Sequence, residues 1–262
     1  MKVYFLKRVL ELIPVFFAIS FIIFMLINLM PGDPLIQMRM ENPRSFMNDP
    51  ERLQALRDYY HLDDPLIVRY LTWLKSMLTG DFGYSSMYKL PVKDLIFSRL
   101  PNTLYLTVVS WLLGLIVALP IGIFSALKKY SLFDYSATVA AFIGISLPSF
   151  WFALMAIIVF SVHLKWLPVS GMSTYGLTGE WRVFWDGVRH LILPACVLGF
   201  VQAASWVRYI RTAMLEVLDQ DYVRTAYAKG APERKVIMRH ALKNAMIPIV
   251  TIIALDIPYF FG

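Results

Sequence analysis

Few residues in this sequence could do covalent chemistry, and their spacing argues against it. Gly171 and Gly176 stand as far apart as the glycines of a phosphate-binding loop, but Leu177 and Thr178 follow where a Lys and a Ser or Thr would be needed. The chain therefore lacks the phosphate cradle of an ATPase. Ser146, Ser149 and Ser170 are not set in a G-x-S-x-G turn, so no serine nucleophile is marked. His61, His163, His190 and His240 are scattered, with no H-E-x-x-H and no metal-ligand spacing, and read as solvated or hydrogen-bonded side chains. Cys196 is the sole cysteine; it permits no intrachain disulfide and, lying in an apolar run, reads as a small buried hydrophobe. The expectation is no catalytic residue, no metal site and no enzyme.

What the residues can do is mechanical. Asp221 to Pro248 is a charged segment between two apolar ones. Asp221 has the side chain of a helix N-cap and Gly230 can take the left-handed turn that ends a helix, so residues 222–229 predict one short helix about 12 Å long. Pro232 and Glu233 are first-turn signals for a second helix, with Arg234, Lys235, Arg239 and Lys243 on its first turns. Two helices bent at a glycine beside a membrane make a stiff feature that can dock a partner or carry force.

The elements that position this feature follow from composition. Of 262 residues, 58% are hydrophobic and only 16% charged, and the mean hydropathy is +0.59; this excludes an ordinary soluble domain. The net charge of +7 comes from basic residues flanking apolar runs, where they set topology, so nucleic acid is excluded as a partner and the lipid bilayer is the expected surrounding. The predicted fold is an all-α membrane protein, a polytopic helical bundle with five spans and a small helical external region.

In order, residues 1–30 hold a first span, uncleaved and with its N-terminus in the cytoplasm because Lys2, Lys7 and Arg8 precede it. Pro31-Gly32-Asp33-Pro34 ends it. Residues 31–102 are soluble in character: Asp49-Pro50 and Asp64-Pro65 each predict a helix start, with Leu66, Tyr70, Trp73, Leu74 and Met77 as one apolar stripe that packs on the membrane core. Residues 78–83 are a turn-rich break, and Pro91 starts a helix ending near Arg99. Residues 103–262 form the core bundle, with spans over about 103–127, 137–162, 191–207 and 241–261, and Lys128-Lys129 on the cytoplasmic side. Trp166, Trp181 and Trp185 fall in an external loop at headgroup level. Pro120, Pro148, Pro194 and Pro248 interrupt apolar runs with no cluster of charges among them, which suits a pathway or gate better than a proton relay. Asp256, near the outer end of the fifth span, reads as a capping or packing residue ahead of a substrate contact. A passive channel or scaffold subunit is the competing reading of the same pattern.

Four separated segments carry a resemblance. Arg224-Thr225-Ala226, three residues and then Gly230 resembles the Glu-Ala-Ala, three residues, Gly core of the cytoplasmic loop in permease subunits of ATP-binding-cassette importers. Arg224 and Thr225 replace the first Glu and Ala, and residues 240–245 with Pro248 beyond replace the Ile-x-Leu-Pro that follows; both look like the version found in the dipeptide, oligopeptide and nickel branch. Residues 31–34, 78–85 and 99–104 resemble the same branch, so the likeness covers nearly the whole chain.

The resemblance implies a permease subunit of a binding-protein-dependent importer, moving di- or oligopeptides by alternating access, with nickel as the other cargo. It implies no cofactor in this chain, and ATP and Mg on two separate ATPase subunits. A second homologous permease subunit and an external substrate-binding protein complete the partners, in a bacterial or archaeal cytoplasmic membrane. The loop 216–240 would be the ATPase-coupling element, with Tyr222, Arg224, Thr225, Ala226, Lys229, Gly230, Ala231 and Arg234 as its contacts. Ser146, Ser149 and Asn244 are candidate pathway residues. The family pattern has six spans, so the sequence reads as one helix short.

Overall fold

The structure, a computed structural model, describes residues 2–30, 54–55, 57–58, 61–85 and 87–261. It divides into two units, Met1–Ser98 and Arg99–Gly262. The predicted breaks at Pro31 to Pro34 and at Asp49-Pro50 lie outside the described residues.

In the first unit, α1 (Lys2–Leu29) has 28 residues, about 42 Å at 1.5 Å per residue, which is enough to cross a bilayer core of about 30 Å. Its partner is α2 (Leu66–Thr79), whose Tyr70 is buried. The Tyr70 hydroxyl lies 2.8 Å from Ser20 Oγ, and the rings of Phe21 and Phe24 meet Tyr70 edge-on at 5.0 and 5.5 Å. The predicted stripe thus packs on the first span through Tyr70 and Trp73, the latter 5.6 Å from Phe24. The expected N-cap at Asp64 is corrected. Pro65 keeps an extended backbone (ψ 141°) and the helix starts at Leu66, while the Asp64 carboxylate turns back to His61 Nδ1 at 3.0 Å. Gly80 ends the helix at φ 81°, within the expected break over residues 78–83.

A two-stranded hairpin follows, β1 (Tyr84–Ser85) antiparallel to β2 (Leu90–Pro91). Pro91 therefore closes a strand, and α3 begins one residue later. The expected helix end near Arg99 is also absent: α3 runs unbroken over Val92–Leu127, through Pro101 and Pro120. Proline keeps a helical φ and deletes a single intrahelical bond, which a long helix in an apolar setting tolerates.

The second unit is a bundle of α3, α6 (Glu180–Leu218) and α9 (Lys243–Leu255). Its core joins Ala118, Ala203, Trp206, Ile210, Met214, Ala245 and Ile249. Small residues let the backbones close in: a Cβ on Gly122 would sit 2.7 Å from Ile210 Cγ2, and one on Gly199 would sit 2.9 Å from the Ser110 carbonyl. Lipid tails are as apolar as leucine, so this close contact, and not water exclusion, holds such helices together. The helix that carries the fourth span starts at Glu180, ahead of Leu191, and Trp181 and Trp185 stand on its first turns, stacked at 6.5 Å. Asp186 accepts the Thr174 N–H and hydroxyl at 2.6 and 2.7 Å, strapping the preceding loop onto those turns.

The third span is not one rod. α4 (Leu132–Ser146) and α5 (Ser149–Ala156, widening into a π-helical turn over Ile157–His163) meet at 102°. Pro148 forces Leu147 out of the helical region, to ψ 130°. Among the described residues four helices are long and apolar enough to cross a membrane, and a fifth crossing is counted if the bent pair is one span. Cys196, expected inside, is exposed on α6, because the buried stripe there is carried by Leu193, Ala195 and Val197.

Asp256 stands at the C-cap of α9, at the end of the last span as expected. It faces Gln202 and Trp206, accepting Nε2–H at 2.7 Å and Nε1–H at 2.8 Å. Gln202 lies about 33 Å from the start of α6 and about 24 Å from its end by helical rise. Asp256→Leu is expected to destabilise the protein by about 1–3 kcal/mol, because two donors at mid-helix lose their acceptor. Asp256→Asn, which keeps an acceptor oxygen, is expected to change little; thermal unfolding in detergent compares the two, and equal shifts would remove this account.

Candidate functional site

Between α6 and the last long helix lies α7 (Asp221–Ala228). The chain leaves α6 at Leu218, and Gln220 takes the extended N-cap conformation at ψ 147° without a side-chain cap. The expected N-cap at Asp221 is therefore moved by one residue. Asp221 is already helical, its side chain 97% exposed and 3.6 Å from Arg224; as a first-turn acid it complements the helix dipole and does not cap.

The C-terminal end is as expected. Gly230 has φ 75°, its N–H donates to the Tyr227 carbonyl at 2.9 Å, and the Ala231 N–H reaches Ala226 at 3.2 Å. This pair of bonds is the Schellman motif, which needs a left-handed residue and favours glycine. Pro232 then opens α8 (Glu233–Lys235), which widens into a π-helical turn over Val236–Leu242 and runs into α9.

One edge of α7 is anchored to its own chain. Val223 and Ala226 are buried with Val236, packed by Val217 and Ala231. Ala226, read from the resemblance as a contact for another subunit, packs within this chain with Val223 and Val236. Tyr222, Arg224, Thr225, Tyr227, Lys229 and Gly230 are exposed, as are Arg234 and Lys235 beyond the turn. The structure therefore brings six of the eight expected coupling residues onto open surface, with Ala226 inside and Ala231 half-buried.

The three pathway candidates are not gathered at one point. Ser146 ends α4 and Ser149 starts α5, one on each side of the Leu147-Pro148 break, and both are exposed. Asn244 stands on α9, where its amide donates to the His240 carbonyl at 2.7 Å.

Sequence reading missed the strongest polar cluster in the bundle. Asp134, 3% exposed, accepts Nε–H and Nη2–H of Arg211 at 2.6 and 2.7 Å. It also accepts the Tyr130 N–H at 2.9 Å and the Ser125 hydroxyl. Both residues lie outside the apolar runs expected to cross the membrane, Asp134 ahead of the third and Arg211 beyond the fourth. Ser131-x-x-Asp134 was a visible capping signal, and Ser131 Oγ does accept the Asp134 N–H at 3.3 Å. The partner, 77 residues away, had no local signal.

Residues 118–262 match the family described as binding-protein-dependent transport system inner membrane component. Residues 1–107 match the N-terminal region of such membrane components. The oligopeptide transport system permease protein AppB of Bacillus subtilis is 44% identical, over 100% of this chain and 81% of that protein. The chain belongs to this family. The permease is also 37% identical to the dipeptide transport system permease protein DppB of Escherichia coli K12, over 96% of this chain and 78% of that protein. A DppB of Alkalihalophilus pseudofirmus is 36% identical over the whole chain and 82% of its own length. The permease is thus a multi-pass membrane subunit of an ATP-binding-cassette importer in the dipeptide and oligopeptide branch. It is a transport component and not an enzyme, and it works in a complex with partner subunits.

Proposed function

We propose that this permease carries di- and oligopeptides inward across a bacterial or archaeal cytoplasmic membrane by alternating access, and that α7 is where ATP-driven motion enters it. The observation that carries the reading is the two-sided character of α7. Val223 and Ala226 fix it to the bundle, while Tyr222, Arg224, Thr225, Lys229 and Gly230 stay open on a helix too short to serve as a span. The relatives' names supply the cargo class, oligopeptides and dipeptides.

In this reading two ATPase subunits, holding ATP and Mg, seat on the α7 surfaces of this chain and of a second homologous permease subunit. An external substrate-binding protein delivers the peptide. Arg234 and Ala231 flank the docking surface, and Ser146, Ser149 and Asn244 face the pathway. Residues 1–30 anchor the chain, 31–102 lie outside, and 103–262 form the moving bundle with its coupling loop at 216–240. Lys7 and Arg8 on one span, Lys128 and Lys129 on another, support a cytoplasmic N-terminus. ATP shifts the bundle only to the extent that the ATPases bind its two states with different affinity.

The test is co-expression of the permease with its ATPase and binding-protein partners, followed by reconstitution into proteoliposomes. ATP-dependent accumulation of a labelled dipeptide, with no accumulation of nickel, is the expected outcome. Purification without any ATPase subunit, together with peptide flux that ignores ATP, would replace this reading by a passive channel.

A further inference from the structure

The Asp134–Arg211 pair lies outside the proposed docking surface but close behind it. Arg211 stands seven residues before Leu218, about 10 Å of helix from the point where α6 gives way to α7. Asp134 lies in the first turn of α4. Its four donors come from three places: Ser125 near the end of α3, Tyr130 in the α3–α4 turn, and Arg211 on α6. One carboxylate thus ties three segments together.

Stability alone is a weak reason for such a pair, since apolar side chains of similar volume often replace a buried ion pair at no net cost. A two-pronged guanidinium–carboxylate contact supplies direction and register instead. A leucine contact slides; this one loses both charged bonds if either helix slips. A second fixed point lies further along the same helices, where a Cβ on Gly144 would come 2.7 Å from Ala204 Cβ. Ala204 is seven residues from Arg211, so α4 is held on α6 at two levels about 10 Å apart.

We propose that Asp134 and Arg211 are positioning residues for energy coupling: they lock α4 and the α3–α4 turn to the last turns of α6, so that displacement of α7 moves α3, α4 and α6 as one body. This rests on the reading of α7 as the ATPase-docking helix. Without the lock, a push on α7 bends the end of α6 and is spent there. With it, the motion travels along α4 to the 102° break at Leu147-Pro148, between Ser146 and Ser149.

The experiment uses the complete reconstituted transporter carrying Asp134→Asn, Arg211→Lys, or the double substitution Asp134→Asn with Arg211→Met. The double variant removes both charges and is expected to assemble and to hydrolyse ATP within about twofold of wild type. Peptide moved per ATP is expected to fall by at least about tenfold in all three, without recovery in the double variant. A second readout needs no cargo. In a Cys196→Ser background, spin labels at Ser136 and Glu216, both exposed, should give one narrow distance distribution in wild type and a broad one in the double variant. Either readout unchanged in the double variant overturns the proposal. So does failure of the double variant to assemble, which would make the pair a folding element. If the wild-type complex shows no ATP-driven uptake, it is the transport reading that fails, and the distance distribution alone decides: broadening supports the lock and its absence removes it.

Discussion

Gly230→Trp is expected to abolish ATP-driven uptake while the permease still reaches the membrane. Two effects add at this residue. Its φ of 75° costs an L-residue about 1–2 kcal/mol, which loosens the turn between α7 and α8. A Cβ built there would meet nothing within 4 Å and Gly230 is exposed, so the indole is expected to project from the same open surface as Lys229. The fold survives; a closely fitting partner does not dock. Gly230→Asn separates the two effects, because asparagine tolerates the left-handed region and adds little bulk; it is expected to retain most transport. The measurements are membrane-fraction abundance, co-purification with the ATPase subunit and uptake in proteoliposomes. Wild-type uptake by Gly230→Trp would sink the assignment of α7.

Gly199→Val should produce a large loss of stability. A Cβ at this position comes 2.9 Å from the Ser110 carbonyl, 3.3 Å from Leu113 Cβ and 3.4 Å from the Gly114 nitrogen. Two of those neighbours are backbone and cannot swing aside. Gly114 is also tight, with a Cβ there 3.1 Å from the Trp206 ring and 3.2 Å from the Gly199 carbonyl. Glycine therefore faces glycine where α3 crosses α6, and valine would drive the helices apart at a cost of about 1–3 kcal/mol or more. Gly187 is the control on the same helix, since a Cβ there meets nothing within 4 Å. Gly187→Ala is expected to be neutral or stabilising by about 0.4–1 kcal/mol through the unfolded state. Thermal unfolding in detergent should separate the two substitutions by several degrees or more. Equal behaviour would mean that the α3–α6 crossing is not a tight contact.

The sequence was most informative where the signal is local. The short helix ending at Gly230 was legible because a left-handed C-terminal turn has a residue signature, and the apolar runs were legible because a bilayer core demands length and hydrophobicity alone. Boundaries slipped by small amounts for the same local reason. Gln220 rather than Asp221, and Pro65 rather than Asp64, occupy the N-cap positions, because a capping side chain is a preference while the backbone break is what defines the end.

Larger errors arose where apolarity masks direction. Residues 137–162 read as one continuous span, since hydropathy is blind to an angle, and only the backbone at Leu147 fixed the 102° bend. Cys196 and Ala226 could not be sorted into outside and inside from composition. Cys196 faces out, and composition hides this because in a membrane span lipid-facing and core-facing positions are equally apolar; Ala226 packs with Val236 through the fold of the short helix against the chain that follows it.

The sequence by itself therefore determined that this chain is a polytopic helical membrane protein whose ATP hydrolysis belongs to separate subunits, and it located the bent charged segment around Gly230. Periodicity, length and the residues around Gly230 sufficed for that. The tertiary structure alone decided which face of α7 is free, that glycines bring α3 against α6, and that Asp134 meets Arg211 from 77 residues away. Those are contacts between distant segments, set by helix rotation and crossing, and no local preference in the chain encodes them.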